Sequence, residues 1–203
     1  MRHCYRSRVE KIELLVGDIV SVRADVIVNA ANESLLGGGG VDGAIHDAAG
    51  PRLLAHNRTL GGCPTGQAKI TPAFDLEKAG ISWVVHAVGP VWGTDPYADG
   101  TERIGYRLED VQLAQCYQRA LELAAEVGAK SIAFPAISTG AYQFPKDRAA
   151  TIAFGHARFH VERRPMPERI IFVMFSEEDA VHYRKAMVPR DFVSPIQIGG
   201  IRR

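Results

Sequence analysis

Two glycine-bearing segments each follow a short apolar run. The first is Asn29-Ala30-Ala31-Asn32-Glu33-Ser34-Leu35-Leu36-Gly37-Gly38-Gly39-Gly40-Val41-Asp42-Gly43, and the second is Pro135-Ala136-Ile137-Ser138-Thr139-Gly140-Ala141-Tyr142-Gln143-Phe144-Pro145. Backbone N–H groups where such a loop enters a helix can surround a phosphate, and glycine lets the main chain approach without a side chain in the way. No Lys or Arg occurs in residues 35–43 or 138–144, so any phosphate held here is held by amides rather than cations. Asp42 stands alone at the end of the first segment. A carboxylate beside a phosphate loop repels its ligand unless the charge serves a purpose, which makes Asp42 the candidate catalytic acid or base, subject to lying within hydrogen-bond reach of its water.

Two familiar phosphate motifs are excluded. Gly38, Gly40 and Gly43 spell G-x-G-x-x-G, but the dinucleotide fingerprint should follow its strand at once and be answered by an acidic residue about 20 positions later. Here Asn32 to Leu36 intervene, and Cys63 occupies the answering place. The Walker pattern fails too, because Ala44 and Ile45 follow Gly43 where Lys and Ser or Thr are required.

The elements that must carry these loops can be read from hydrophobic patterning. Residues 9–16 alternate, with Ile12, Leu14 and Val16 on one face and Lys11 and Glu13 on the other, which predicts a half-exposed strand. Val26 to Val28, Trp83 to Val85, Ile132 to Phe134 and Ile170 to Val173 are continuous apolar runs, the pattern of strands covered on both faces. Leu108, Val111, Ala114, Tyr117, Leu121 and Ala124 recur at helical spacing until Gly128. A second helix is predicted over about residues 146–161, and a third opens at Ser176, with Asp179 three positions on as a capping pair. Alternating strands and helices predict a layered α/β fold with a largely parallel sheet, whose ligands bind at the carboxyl ends of strands.

Composition narrows the function classes. Lys and Arg number 24 against 23 Asp and Glu, and a net charge of +1 over 203 residues argues against a nucleic-acid or anionic-membrane partner. Every apolar run is interrupted before bilayer-spanning length. The basic first residues lead into Glu10, Lys11 and Glu13 where a signal peptide needs an apolar core. Cys4, Cys63 and Cys116 are odd in number and form no C-x-x-C pair, which points to reduced thiols and a cytoplasmic location. Residues 93–105 read as a surface loop. Residues 1–188 read as one domain, followed by a Pro- and Gly-bearing tail over 189–203.

Taken in order, Gly17-Asp18-Ile19, Val28-Asn29-Ala30-Ala31-Asn32, the string from Leu36 to His46, Cys63-Pro64-Thr65-Gly66, His86-Ala87-Val88-Gly89-Pro90 and Phe134 to Gly140 resemble the macrodomain family, most closely its MacroD-like hydrolase branch. The resemblance spans residues 12–180. It implies a three-layer α/β/α macrodomain with a mixed, largely parallel central sheet, binding ADP-ribose and cleaving its esters: mono-ADP-ribosyl groups on Asp or Glu of proteins, and O-acetyl-ADP-ribose. A non-catalytic ADP-ribose reader is the alternative, and binding-only relatives often lack the Asp42 equivalent.

The roles implied are specific. Asp18 accepts from the adenine amino group, the Ile19 backbone contacts the same ring, and Phe175 stacks on it. Gly40 and Val41, with Ser138, Thr139, Gly140, Ala141 and Tyr142, enclose the diphosphate and distal ribose. Asn32 bonds the distal ribose hydroxyls, and Asp42 with the substrate's own phosphate positions the attacking water. No metal or cofactor is called for, and the implied partners are ADP-ribose, its esters and mono-ADP-ribosylated proteins.

Plainer roles are also available. Asp42 is compatible with a first-turn helix acid, Asp18 with a turn residue, and Phe175 with ordinary core. Asn29 reads as a partner for backbone groups at a strand end, His46 and His86 as hydrogen-bonded structural histidines, and Cys63 as a small buried residue. Gln143 departs from the family, where Gly usually stands. So does Asp47, which replaces a commonly basic residue.

Overall fold

The computed structural model describes residues 11–94 and 106–188. Cys4, most of the 93–105 loop and the tail from residue 189 lie outside the described residues. The strands are β1 (Ile12–Val16), β2 (Val26–Ala31), β3 (Ala68–Pro72), β4 (Trp83–Val88), β5 (Ser131–Phe134) and β6 (Arg169–Met174). The helices are α1 (Val41–Ala49), α2 (Pro51–Thr59), α3 (Leu108–Glu126), α4 (Lys146–Arg163) and α5 (Glu177–Met187). Short 3-10 turns follow β1 and β3, at Ile19–Ser21 and Phe74–Ala79.

The sheet order is β1-β6-β5-β2-β4-β3, with every neighbouring pair parallel except β3 against β4. Alternate residues of the central strands feed two cores. Val26, Val28, Ile132, Phe134, Ile170 and Phe172 pack with α3, α4 and α5, while Ile27, Ala133, Ile171 and Val173 pack with α1 and the 3-10 turns. This two-sided burial is why those strands read as unbroken apolar runs. β1 is the half-exposed edge expected from its alternation, and Arg169 clamps it to β6 by donating to both Glu13 carboxylate oxygens at 2.6 and 2.8 Å.

The three predicted helices are present, and Ser176 caps α5 by accepting from the Asp179 amide at 3.2 Å. Patterning did not show α2 or β3. α2 is a short polar helix with little apolar periodicity, and β3 is the antiparallel edge strand, interrupted by Lys69 and Pro72.

Three core histidines give the fold a pH signature. Burial drives His86 down to about 3, helped by His46 and His56, drives His156 down to about 4, and lowers His160. Each is more acidic folded than unfolded, so the unfolded chain takes up protons first as pH falls below about 6.5, and stability is lost from there downward. The urea midpoint should therefore drop between about pH 7 and about pH 5, before most carboxylates titrate. A flat midpoint across that window contradicts the burial of these rings.

Candidate active site

β2 and β5 are neighbours in the sheet, yet the chain leaves them for opposite faces, β2 toward α1 and β5 toward α4. Their carboxyl-end loops therefore part around a crevice, the place where open α/β sheets bind ligands. A cavity of about 490 Å³ lies there, lined on the β2 side by Ala30 to Asn32 and Gly38 to Asp42, and on the β5 side by Ala136 to Ser138 and Gly140 to Tyr142. Gly89, just past β4, completes the wall. No Lys or Arg lines it, as expected from both loops.

The predicted first loop is shorter than its sequence suggests, because α1 already begins at Val41 and takes up Asp42 and Gly43. Gly40 is its N-cap at φ 62°, ψ −134°, a conformation essentially reserved for glycine. The amides of Gly39, Gly40, Val41 and Asp42 have no acceptor among the described residues, and neither do those of Ser138 through Tyr142. Two sets of donors, one of them at a helix N-terminus, thus belong to residues around the cavity. The second loop is fixed from behind. Phe144 N donates to Ser138 O at 3.0 Å, Gln143 N to Gly140 O at 2.9 Å, and Trp92 N to Tyr142 O at 2.9 Å.

Asp42 is only 4% exposed. Asn29 Nδ2 donates to its Oδ1 at 2.5 Å, and His46 Nε2 stands 3.6 Å from the same oxygen. Its Oδ2 lies on the side of Gly38, where an added Cβ would come within 3.0 Å of Oδ2 and 3.4 Å of Asn32 Nδ2. Gly38 thus keeps open the space between the two predicted catalytic side chains. Asn32 is partly engaged in its own loop: Nδ2 donates to Gly37 O at 2.9 Å, and Oδ1 accepts from Ser34 N at 3.0 Å and Ser34 Oγ at 2.6 Å. One amide hydrogen remains for another partner.

The remaining predicted residues divide. Gly40, Val41, Ser138, Gly140, Ala141 and Tyr142 line the cavity with Asn32 and Asp42. Thr139 does not, and its hydroxyl donates to Ala136 O at 3.1 Å. Asp18, Ile19 and Phe175 lie farther along the same sheet edge, past β1 and β6, which Gly17 N ties together by donating to Met174 O at 2.9 Å. Asp18 Oδ1 accepts from Val20 N at 3.1 Å, the turn role also read for it, and the Ile19 side chain is core. Phe175 is 88% exposed, which overturns its reading as core.

Three readings of other residues change. Asn29 serves no strand-end backbone group but donates to Asp42 and to His86 Nδ1, the latter at 3.1 Å. His46 is not hydrogen-bonded through Nε2, which is buried without a partner. Gln143 adopts φ 55°, a left-handed conformation that explains why glycine suits the position, while the turn keeps its hydrogen bonds with Gln in place.

Two features escaped sequence reading. Ser138 holds φ 67° with its hydroxyl buried and unpartnered. Gly89 permits this, since an added Cβ would overlap Ser138 Oγ and stand 2.7 Å from Ile137 Cγ2. Gly89→Ala should displace the second loop, lowering stability by about 1–3 kcal/mol and weakening ligand binding by about tenfold. Thermal melts and calorimetry check both, and parental values in the two would refute the packing described.

Comparison with known proteins gives a consistent picture. The model of the Macro domain family matches residues 28–153. The chain is 47% identical over 184 residues to the O-acetyl-ADP-ribose deacetylase of Enterobacter cloacae subsp. cloacae, covering 89% of this chain and 95% of that protein. It is 48% identical over 183 residues to the ADP-ribose glycohydrolase MACROD2 of Mus musculus, covering 90% of this chain but 36% of that longer protein. Among solved structures, a mutant Oceanobacillus iheyensis macrodomain with ADPR matches with a TM-score of 0.77 at 39% identity, covering 87% of this chain and 91% of that one.

Proposed function

Since the chain belongs to the macrodomain family, we propose that it binds ADP-ribose and hydrolyses its esters, both mono-ADP-ribosyl groups on Asp or Glu of proteins and O-acetyl-ADP-ribose. The observation that carries this is the buried carboxylate of Asp42, the one carboxylate among the described residues lining the cavity, anchored on one oxygen by Asn29 and lying across Gly38 from Asn32, with unpartnered amides around the same cavity.

In this reading the ligand lies along the carboxyl edge of the sheet. From β1 to β2 is three interstrand steps, roughly 14 Å, a span suited to an extended dinucleotide-sized ligand. The adenine meets Asp18 and the Ile19 backbone beyond β1 and stacks on the exposed ring of Phe175 beyond β6. The diphosphate sits between the amides of Gly40 and Val41 and those of Ser138 through Tyr142, with Thr139 shaping that turn. The distal ribose reaches Asn32.

Asp42 then holds a water against the ester, together with the substrate's phosphate. The water oxygen bonds to the ester carbonyl carbon or, where the ester sits on it, to the anomeric carbon, and the ester C–O bond at that carbon breaks. One water proton passes to the Asp42 carboxylate and, after carbonyl attack, on to the departing ribose oxygen, so that the products are ADP-ribose and the freed side-chain carboxylate or acetate. The chemistry we propose uses no metal or cofactor. Near-neutral charge and a cavity without cations favour a nucleotide-sized ligand over a nucleic acid. The buried thiols of Cys63 and Cys116 fit a reducing, cytoplasmic setting, and no described helix is long and apolar enough to cross a membrane. We read residues 1–188 as a single domain and 189–203 as a tail beyond it.

Incubation with glutamate-linked mono-ADP-ribosylated protein, and separately with O-acetyl-ADP-ribose, should release free ADP-ribose. Tight binding with no release from either substrate would instead establish a reader. Calorimetry should rank ADP-ribose well above AMP and short RNA, and equal affinity for all three would overturn the ligand assignment.

A further inference from the structure

Asp42 needs more than Asn29 to hold it, because an asparagine amide can turn about its own axis. His86 lies behind that amide, wholly buried in β4, and it does not line the cavity. Its Nδ1 is 3.1 Å from Asn29 Nδ2, and its Nε2 is 3.1 Å from the hydroxyl of Thr71 in β3, itself 1% exposed. We infer that His86 is a positioning residue for the hydrolytic site, the middle link of a Thr71–His86–Asn29–Asp42 chain that fixes which oxygen of Asp42 faces the cavity.

The direction of every hydrogen bond follows from donor arithmetic. A carboxylate only accepts, so Asn29 must present Nδ2 to Asp42 Oδ1. The second hydrogen on Nδ2 then points to His86 Nδ1, which must accept it. The ring proton therefore sits on Nε2 and is donated to Thr71 Oγ1. A neutral ring is required, and burial supplies it, with the neighbouring His46 and His56 rings acting in the same direction. Without His86, nothing but Asp42 itself would orient the Asn29 amide, because Asn29 Oδ1 is buried and unpartnered. His46 Nε2, 3.6 Å from Asp42 Oδ1 and not hydrogen-bonded, does not replace the anchor.

The inference rests on the ester-hydrolase reading for its kinetic consequence but not for its geometry, so two measurements separate them. Nitrogen NMR of the histidine rings in the full chain should show His86 neutral and protonated on Nε2 near about pH 7. Protonation on Nδ1 overturns the chain whatever the enzyme does. In steady-state kinetics with glutamate-linked substrate, His86→Leu should lower kcat by about 10-fold or more, with KM changed by less than about threefold. His86→Asn, which can return an acceptor near the place of Nδ1, should recover most of the loss. Thr71→Val keeps the side-chain shape and should lower kcat by about threefold, which keeps the test open if the leucine variant does not fold. Folded variants with parental kcat, or with losses confined to KM, refute the positioning role. A parental enzyme that turns nothing over refutes the hydrolase reading, and the ring tautomer then decides the chain by itself.

Discussion

Asp42→Asn should bind ADP-ribose at least as well as the parent and cleave its esters at least about 100-fold more slowly, the scale of losing a positioned base. Asparagine fills the same volume, and its amide oxygen can still accept from Asn29, so the buried anchor survives and the pocket keeps its shape. What is lost is the negative charge and the ability to take a proton from water. The same charge faces a region proposed to hold a diphosphate, so its removal lowers repulsion and should not weaken binding. Asp42→Ala should show the same kinetic loss with an added cost in stability of about 1–3 kcal/mol, because it leaves a buried Asn29 donor without its partner. Unchanged turnover by a folded Asp42→Asn protein would remove Asp42 from the chemistry and return it to the role of a first-turn helix acid.

The second large effect is on binding. Gly40 holds φ 62°, ψ −134° at the start of α1, where a β-branched side chain is strongly disfavoured. Gly40→Val must turn that peptide, and with it the amides of Val41 and Asp42 that are proposed to meet the diphosphate. The Kd for ADP-ribose should rise by about 30-fold or more, with kcat/KM falling in proportion. Gly128 offers the control: it ends α3 at φ 70°, away from the cavity, with open space around it. Gly128→Val should cost stability and leave Kd at the parental value. If the two substitutions weaken binding alike, strain rather than the amide cradle explains the result.

Much of this was legible in the sequence because the relevant signals are local. The four central strands are covered on both faces and carry unbroken apolar runs, and the glycines beside them mark where the backbone must come close to something. The macrodomain resemblance was readable because its strings occur in order along most of the chain. Long-range pairing was not legible. That β2 and β5 are neighbours, and so bring Asn32 and Asp42 opposite Ser138 and Tyr142, depends on a strand order no local pattern encodes. The antiparallel edge strand β3, broken by Lys69 and Pro72, gave no alternation, yet it supplies Thr71 to the buried chain behind Asp42.

Side-chain partnerships were the least visible. Asn29 has the composition of a strand-end residue, and only the packing of β2 against α1 reveals it as the anchor of the carboxylate. Gly89 and Ser138 lie 49 positions apart, and their mutual fit exists only in three dimensions. Phe175 shows the converse: its type suggested core, and its position at the end of an edge-proximal strand leaves it exposed.

The central claim is that main-chain amides from both loops grip a diphosphate while Asp42 faces the distal ribose. Crystals of the parental protein soaked with ADP-ribose test it through distances. The account predicts phosphate oxygens within about 3.2 Å of amides in both residues 39–42 and residues 138–142, with Asp42 Oδ2 reaching the distal ribose directly or through one water. A diphosphate held by one loop alone, or an Asp42 carboxylate turned away from the sugar, would contradict it.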